Sequence, residues 1–253
     1  MASRSAPCRP PPAPGGAPSP EARAATRTCG SGPGQPTLRP PPRHRLHHHP
    51  RRRTPPLHRA HPAGQLPSTR RVQEDFYALY ERTRICRAYL SNVPPGFIQT
   101  PAFATALMNP ITAFQGTPDD VAEAVAARVA RSRFLCEGGR RFVVLMEESV
   151  LRYRTADPEA MKGQLRHLLA VMPLASVSLG IIPFAAQRTV WPLEAFYLHD
   201  DVQAVVETLT AEINVTQPRE LADYAKAFAG LAEMAVYGDV ARALIRAAID
   251  ALE

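Results

Sequence analysis

Residues 157–182 read DPEAMKGQLRHLLAVMPLASVSLGII. Asp157-Pro158 is a helix start: an acidic cap precedes a proline whose missing N–H is harmless in the first turn. Met161, Leu165, Leu168, Leu169 and Met172 then recur at the spacing of one buried helical face. Pro173 stops the helix, and Val177–Ile182 is a short apolar run of the kind a buried strand makes. A helix that leads into a strand in this way needs a sheet to pack on. No charge occurs from Leu168 to Ala186, but Pro173, Gly180 and Pro183 interrupt the run. A spanning helix needs about 20 mostly apolar residues, so no membrane span is predicted.

The same pattern extends in both directions. Arg141–Met146 is a second β-rich, mostly apolar segment. Ala195–Leu198 and Val202–Glu207 are two further strands, and the polar link His199-Asp200-Asp201 between them favours an antiparallel pair. Upstream, Val72, Phe76, Leu79 and Tyr80 give a helical stripe within Val72–Leu90. Pro94-Pro95-Gly96 makes Ser91–Pro101 a loop, and a short helix follows over Ala102–Met108. Thr117-Pro118-Asp119-Asp120 starts another helix, continued by Val121, Val125 and Val129 to about Leu135 and ended by Gly138-Gly139. After Pro218, Leu221, Tyr224, Phe228 and Leu231 mark a helix; beyond Gly238, Val240, Leu244, Ala248 and Leu252 mark the last. The predicted class is α+β, a small, mainly antiparallel sheet with packed helices.

Charge divides the chain of 253 residues in two. Residues 1–70 hold 12 Arg, one acid (Glu21) and 17 of the 27 prolines, for a net charge of +11. Residues 71–253 are left with −4 of the overall +7. The first segment has no aromatic residue and only isolated leucines, so it cannot bury enough apolar surface to offset its ordering entropy. It is predicted to be a disordered basic tail, and residues 71–253 one regulatory or partner-binding domain. Cys8, Cys29, Cys86 and Cys136 form no CxxC pair; two fall in the tail and two in predicted helices. This usage suggests reduced thiols in a cytoplasmic protein. Two lysines against 28 arginines point to a GC-rich genome.

Phosphate loops, zinc spacings, nucleophile elbows and dinucleotide fingerprints are missing from the sequence. No catalytic residue, metal site or cofactor is therefore expected. Glu147-Glu148 follows a strand, where consecutive side chains point to different sides; one is expected in solvent and one on an arginine. His199-Asp200-Asp201 carries metal-like ligands but reads as a turn, and His167 as a helix-boundary residue. Arg128 and Arg131, at i and i+3, either hold an anionic partner or ligand or form structural salt bridges. Arg152 and Arg154, flanking Tyr153, admit the same two readings. Trp191, the only tryptophan, either anchors a partner or folds over the sheet edge. Arg43 through Arg53 form a basic patch without aromatic platforms, and His47-His48-His49 has no evident ligand role.

The run Val93-Pro94-Pro95-Gly96-Phe97-Ile98-Gln99-Thr100-Pro101, with Phe103 and Ala104, resembles the Pro-Gly…Gln-Thr signature of an actinobacterial domain of unknown function. That domain normally follows a helix-turn-helix of the Xre type in antitoxin-like transcriptional regulators. Arg128 and Arg131 match its Arg-x-x-Arg helix, and Glu148-Ser149-Val150-Leu151-Arg152 its Glu-Ala-Val-Leu-Arg segment. Gln164-Leu165 with Leu168-Leu169, Gly180-Ile181-Ile182-Pro183, Phe196, and Tyr224, Phe228 and Leu231 follow in order. The chain departs from the pattern in the extra Pro94, in Ser132, and in the segment before residue 71. There a Pro/Arg/His-rich stretch stands where DNA-binding helices are expected, read as a wrong-frame translation of GC-rich DNA or the remnant of a lost reader.

The resemblance implies a regulatory domain that senses a small-molecule signal or docks a small cognate protein. DNA would be reached only through the missing helix-turn-helix, or weakly through the tail, and a homodimer is open. Candidate contacts are Gly96, Gln99 and Thr100 in the loop with Arg128, Arg131, Arg152 and Trp191; alternatively the loop only caps a helix and reverses the chain. Two other classes stay open: a small hydrolase using Glu147 or Glu148 with His199, and a non-specific nucleic-acid binder working through the tail.

Overall fold

The computed structural model describes residues 58–59, 69–117, 119–137, 139–209 and 211–252. All of them belong to one compact unit, Arg52–Glu253. The expectations for the tail, including Cys8, Cys29, His47-His48-His49 and the Arg43–Arg53 patch, lie outside these residues, as do Pro118 and Gly138 at their helix ends. His58–Arg59 is an exception within the predicted tail: it forms a strand, β1. Pairing at an edge uses only main-chain groups, so no apolar alternation announces it.

The chain continues through α1 (Thr69–Arg82), β2 (Ile85–Leu90), a 3-10 turn (Gly96–Ile98), α2 (Pro101–Gln115), α3 (Val121–Ala130) and a second 3-10 turn (Arg131–Leu135). There follow β3 (Arg141–Glu147), α4 (Ser149–Arg152), α5 (Pro158–Val171), β4 (Val177–Ile182), β5 (Phe196–His199), β6 (Gln203–Glu207) and β7 (Glu212–Val215). Two helices, α6 (Pro218–Glu233) and α7 (Gly238–Asp250), close the fold. The class is α+β, and the sheet order is β1-β7-β6-β5-β2-β3-β4. The sheet is mixed: β2, β3 and β4 run parallel, whereas β5, β6 and β7 pair antiparallel.

Strand alternation sorts the core into two layers. Cys86, Ala88 and Leu90 share one face with Phe142, Val144, Met146 and Ile181, under α1, α5 and α7. Tyr89, Leu145, Ile182, Phe196 and Val206 point the other way, onto Phe228 and Leu231 of α6. Asp157 caps α5 by accepting from Ala160 N at 2.9 Å, and Met161, Leu165 and Leu168 are buried, as their spacing predicts. The β5–β6 link is a tight turn in which Asp200 (φ 49°) and Asp201 (φ 56°) are both left-handed, the conformation that matches hairpin twist. The Asp200 carboxylate accepts from Arg84 N and Ile85 N at 2.9 and 2.6 Å, tying the turn to β2.

Three element boundaries differ from the sequence reading. The predicted helix Val72–Leu90 is a helix and a strand: Thr83 donates its hydroxyl to Leu79 O as α1 ends, and Ile85–Leu90 becomes β2. Buried on both faces, β2 lacks the alternation that marks a half-buried strand. Cys86 therefore lies in a strand, and Cys136 just beyond the second 3-10 turn; both are free thiols. Second, α2 runs through the exposed Pro110 to a left-handed cap at Gly116 (φ 64°) instead of ending at Met108. Third, β7 carries Glu212 and Asn214 and escapes an apolar-run criterion. No helix among the described residues is long and apolar enough to cross a membrane.

The outer edge of β4 is closed by the segment between α6 and α7, where Ile181 and Val236 exchange both backbone hydrogen bonds (3.0 and 2.8 Å). Gly180 makes room for it: a Cβ there would lie 2.7 Å from the Tyr237 ring and 3.1 Å from Ala235 Cβ. Gly180→Ala is expected to lower stability by about 1–3 kcal/mol, the usual range for overpacking. A urea midpoint unchanged from the parent would contradict this.

Candidate anion-binding cleft

Four segments meet on the β5–β6 side of the sheet face covered by α1. Tyr197 is two residues from His199 on β5, pairs with Val205 of β6, and so shares a face with Glu207. Phe76 and Tyr80 descend from α1, Arg128 and Arg131 from α3 and the turn after it, and Gly96 and Gln99 from the loop after β2. With Val93 and Pro94 these residues line a cleft of about 40 Å³.

The two guanidiniums converge over Gly96. A Cβ on Gly96 would stand 2.9 Å from Arg131 Nη2 and 3.3 Å from Arg128 Nε, so these atoms are at most about 6 Å apart. Only glycine leaves that approach open. Gln99 positions Arg128: its Oε1 accepts from Arg128 Nη1 at 2.9 Å, while its Nε2 donates to Pro94 O at 2.7 Å. Arg131, 3% exposed, lies over Phe76 and Tyr80, with its guanidinium carbon 5.4 and 5.7 Å from the ring centroids. Such contacts favour a desolvated guanidinium.

Burial, and after it neighbouring Arg131, lower the Arg128 pKa to about 10. Arg131 is also lowered by burial, opposed by Tyr80, Tyr197 and Glu207. Arg128 remains cationic at neutral pH. Burial of the carboxyl raises the Glu207 pKa; Arg128, then Arg131, hold it down. Burial also raises the Tyr80 and Tyr197 hydroxyls. The cleft thus presents two guanidiniums, one carboxyl, two phenols and an amide between aromatic walls.

Of the sequence candidates, Gly96, Gln99, Arg128 and Arg131 come together here. Thr100 does not join them: its hydroxyl caps α2 by accepting from Phe103 N at 3.3 Å, and its N–H donates to Gln164 Oε1 at 2.7 Å. Arg152 lies elsewhere, 3.2 Å from Glu148 and donating to Ala247 O of α7. Arg154 likewise donates to Ala251 O. Trp191 is 71% exposed in the loop before β5 and does not fold over the sheet edge. Phe76, Tyr80, Tyr197 and Glu207 escaped sequence reasoning as site residues. Only the strand alternation that puts Tyr197 and Glu207 on one face could have signalled them.

The carboxylate and histidine candidates are structural. Neither Glu147 nor Glu148 is in solvent; each meets its own arginine. Glu147 accepts from Tyr89 and Arg188, whereas Glu148 accepts from Arg152 and from Phe184 N. His199 is not part of the exposed turn but the buried end of β5, 1% exposed. It pairs with Cys86, which stands opposite Phe142, so Glu148, just past the end of β3, lies six residues further along the chain. At about 3.3 Å per residue that is roughly 20 Å, at the other end of the sheet. Among the described residues no group of His, Cys, Asp and Glu could hold a metal ion.

The family assignment covers this cleft. The chain belongs to the family described as "Domain of unknown function (DUF5753)". The match spans residues 73–247, and so includes every cleft residue of this DUF5753 domain. None of the curated proteins matches the chain.

His199 makes stability depend on pH. Thr83 gives its hydroxyl proton to Leu79 O and so accepts from His199 Nδ1–H at 2.9 Å. Nε2 is then the bare nitrogen, buried with no partner among the described residues. Burial depresses the His199 pKa from 6.5 to about 4, and that of His167 in the same direction. The unfolded chain binds the extra proton, so stability is intact above pH 6.5 and falls as pH drops toward 4. The His199 share of that loss is about 3 kcal/mol. Urea midpoints between pH 7 and pH 4.5 are expected to fall, with a shallower slope in His199→Gln; an identical slope would rule His199 out as the source.

Proposed function

We propose that the folded unit is the effector or partner-binding domain of an antitoxin-like transcriptional regulator of the Xre type. Its ligand would be a small cognate protein or a small-molecule signal met in the cytoplasm. The observation that carries this reading is the convergence of Gly96, Gln99, Arg128 and Arg131, distant in sequence, on one aromatic-walled cleft. A guanidinium pair held over a glycine is arranged for recognition of an anion. The ordered series of family marks supports the regulator context, and no DNA-reading motif is evident in this chain. A non-enzymatic role is supported by the separation of Glu148 from His199 and by the pairing of both Glu148 oxygens.

The test is calorimetric titration of the full chain with the small protein encoded beside its gene. Binding at about 1 µM or tighter is expected. Arg128→Ala should weaken it at least about tenfold, as truncation of an interface arginine does, whereas the exposed Arg166→Ala on α5 leaves it unchanged. No complex, or one indifferent to Arg128, would sink the assignment of this cleft.

A further inference from the structure

The chemical class of the ligand follows from the shape and charge of the cleft, and the inference rests on the binding-domain reading above. We infer that the cleft takes a monocarboxylate carried on an apolar or aromatic body, with the carboxylate lying between the Arg128 and Arg131 guanidiniums.

Three observations lead there. The first is spacing: Arg131 Nη2 and Arg128 Nε both lie within 3.3 Å of the point a Gly96 Cβ would occupy. Two forked donors that close can share one planar anion. The second is charge. Arg128 and Arg131 line the cleft together with a single carboxyl, that of Glu207. The third is the wall: Phe76, Val93, Pro94 and the Tyr197 ring offer apolar surface to whatever carries the carboxylate.

The experiment uses the full chain and five probes: 3-phenylpropanoate, the neutral 3-phenylpropanamide, inorganic phosphate, and a Gly-Gly-Phe peptide with either a free or an amidated C-terminus. Calorimetry should give a dissociation constant of about 0.1–1 mM for the phenylpropanoate, as its atom count allows. The amide and phosphate should bind at least about tenfold more weakly. In the unmodified protein, the acid should move the Arg side-chain Nε–H resonances, a readout that needs no variant. Arg128→Lys keeps the charge but loses the fork, and Gly96→Ala displaces both guanidiniums; each should reduce binding at least about tenfold with the urea midpoint retained.

The source of the carboxylate is read from the peptides. Tighter binding of the free-acid peptide than of phenylpropanoate assigns it to a partner's C-terminus, and binding of phenylpropanoate alone assigns it to a small acid. The inference is overturned if acid and amide bind alike, if phosphate binds more tightly than the acid, or if neither acid moves the arginine resonances. Should that happen while the small protein still binds through Arg128, the partner-binding reading stands and only the carboxylate falls.

Discussion

Strand β2 carries hydrogen bonds on both edges and apolar packing on both faces. It pairs parallel with β3 over six residues and antiparallel with β5 over four. Cys86, Ala88 and Leu90 are buried under one helical layer and Tyr89 under the other. A strand so placed is mostly apolar on both sides, with Arg87 reaching out to Asp201. The junction between the parallel and antiparallel halves of the sheet is therefore this one segment. Its immediate flanks, α1 before it and the Gly96 loop after it, are carried onto the same face. The cleft stands where those flanks meet β5, β6 and α3.

That placement accounts for the electrostatics of the cleft. Two guanidiniums at most about 6 Å apart repel each other, and burial removes the water that would screen them. The fold offsets this with aromatic faces under Arg131, a glutamine oxygen on Arg128 and the Glu207 carboxylate opposite. Gly96 is the hinge of the arrangement, since a single methyl would separate the pair from the loop.

Elsewhere the charged residues are part of the architecture. Glu147 and Arg188 pin the loop before β5 to the end of β3, with the Tyr89 hydroxyl bridging to Leu193 N. Glu148 and Arg152 join that strand end to α7. Asp200 secures the β5–β6 turn to the start of β2. In the sequence Arg152 admits the same two readings as Arg128 and Arg131, an anionic partner or a structural salt bridge. Only their partners separate the two groups, because a linear pattern shows residue type and spacing but not which donor lies opposite.

Local rules were enough for α5 and β4, since the Asp157-Pro158 cap, one apolar face and Pro173 act within a few residues of each other. The same holds for the Asp200-Asp201 turn and for α6. The α+β class follows from those elements, and the Pro-Gly…Gln-Thr and Arg-x-x-Arg marks already named four of the cleft residues. Long-range contacts decided the rest. Whether Ile85–Leu90 continued a helix or became the central strand depended on partners 56 and 113 residues away, Arg141 opposite Ile85 and His199 opposite Cys86. Tyr197 and Glu207 joined the cleft through sheet register, and β1 formed through main-chain pairing that carries no side-chain signature. Sequence determines what a segment can form alone; pairing across the sheet determines what it faces, because register and burial are properties of two segments at once.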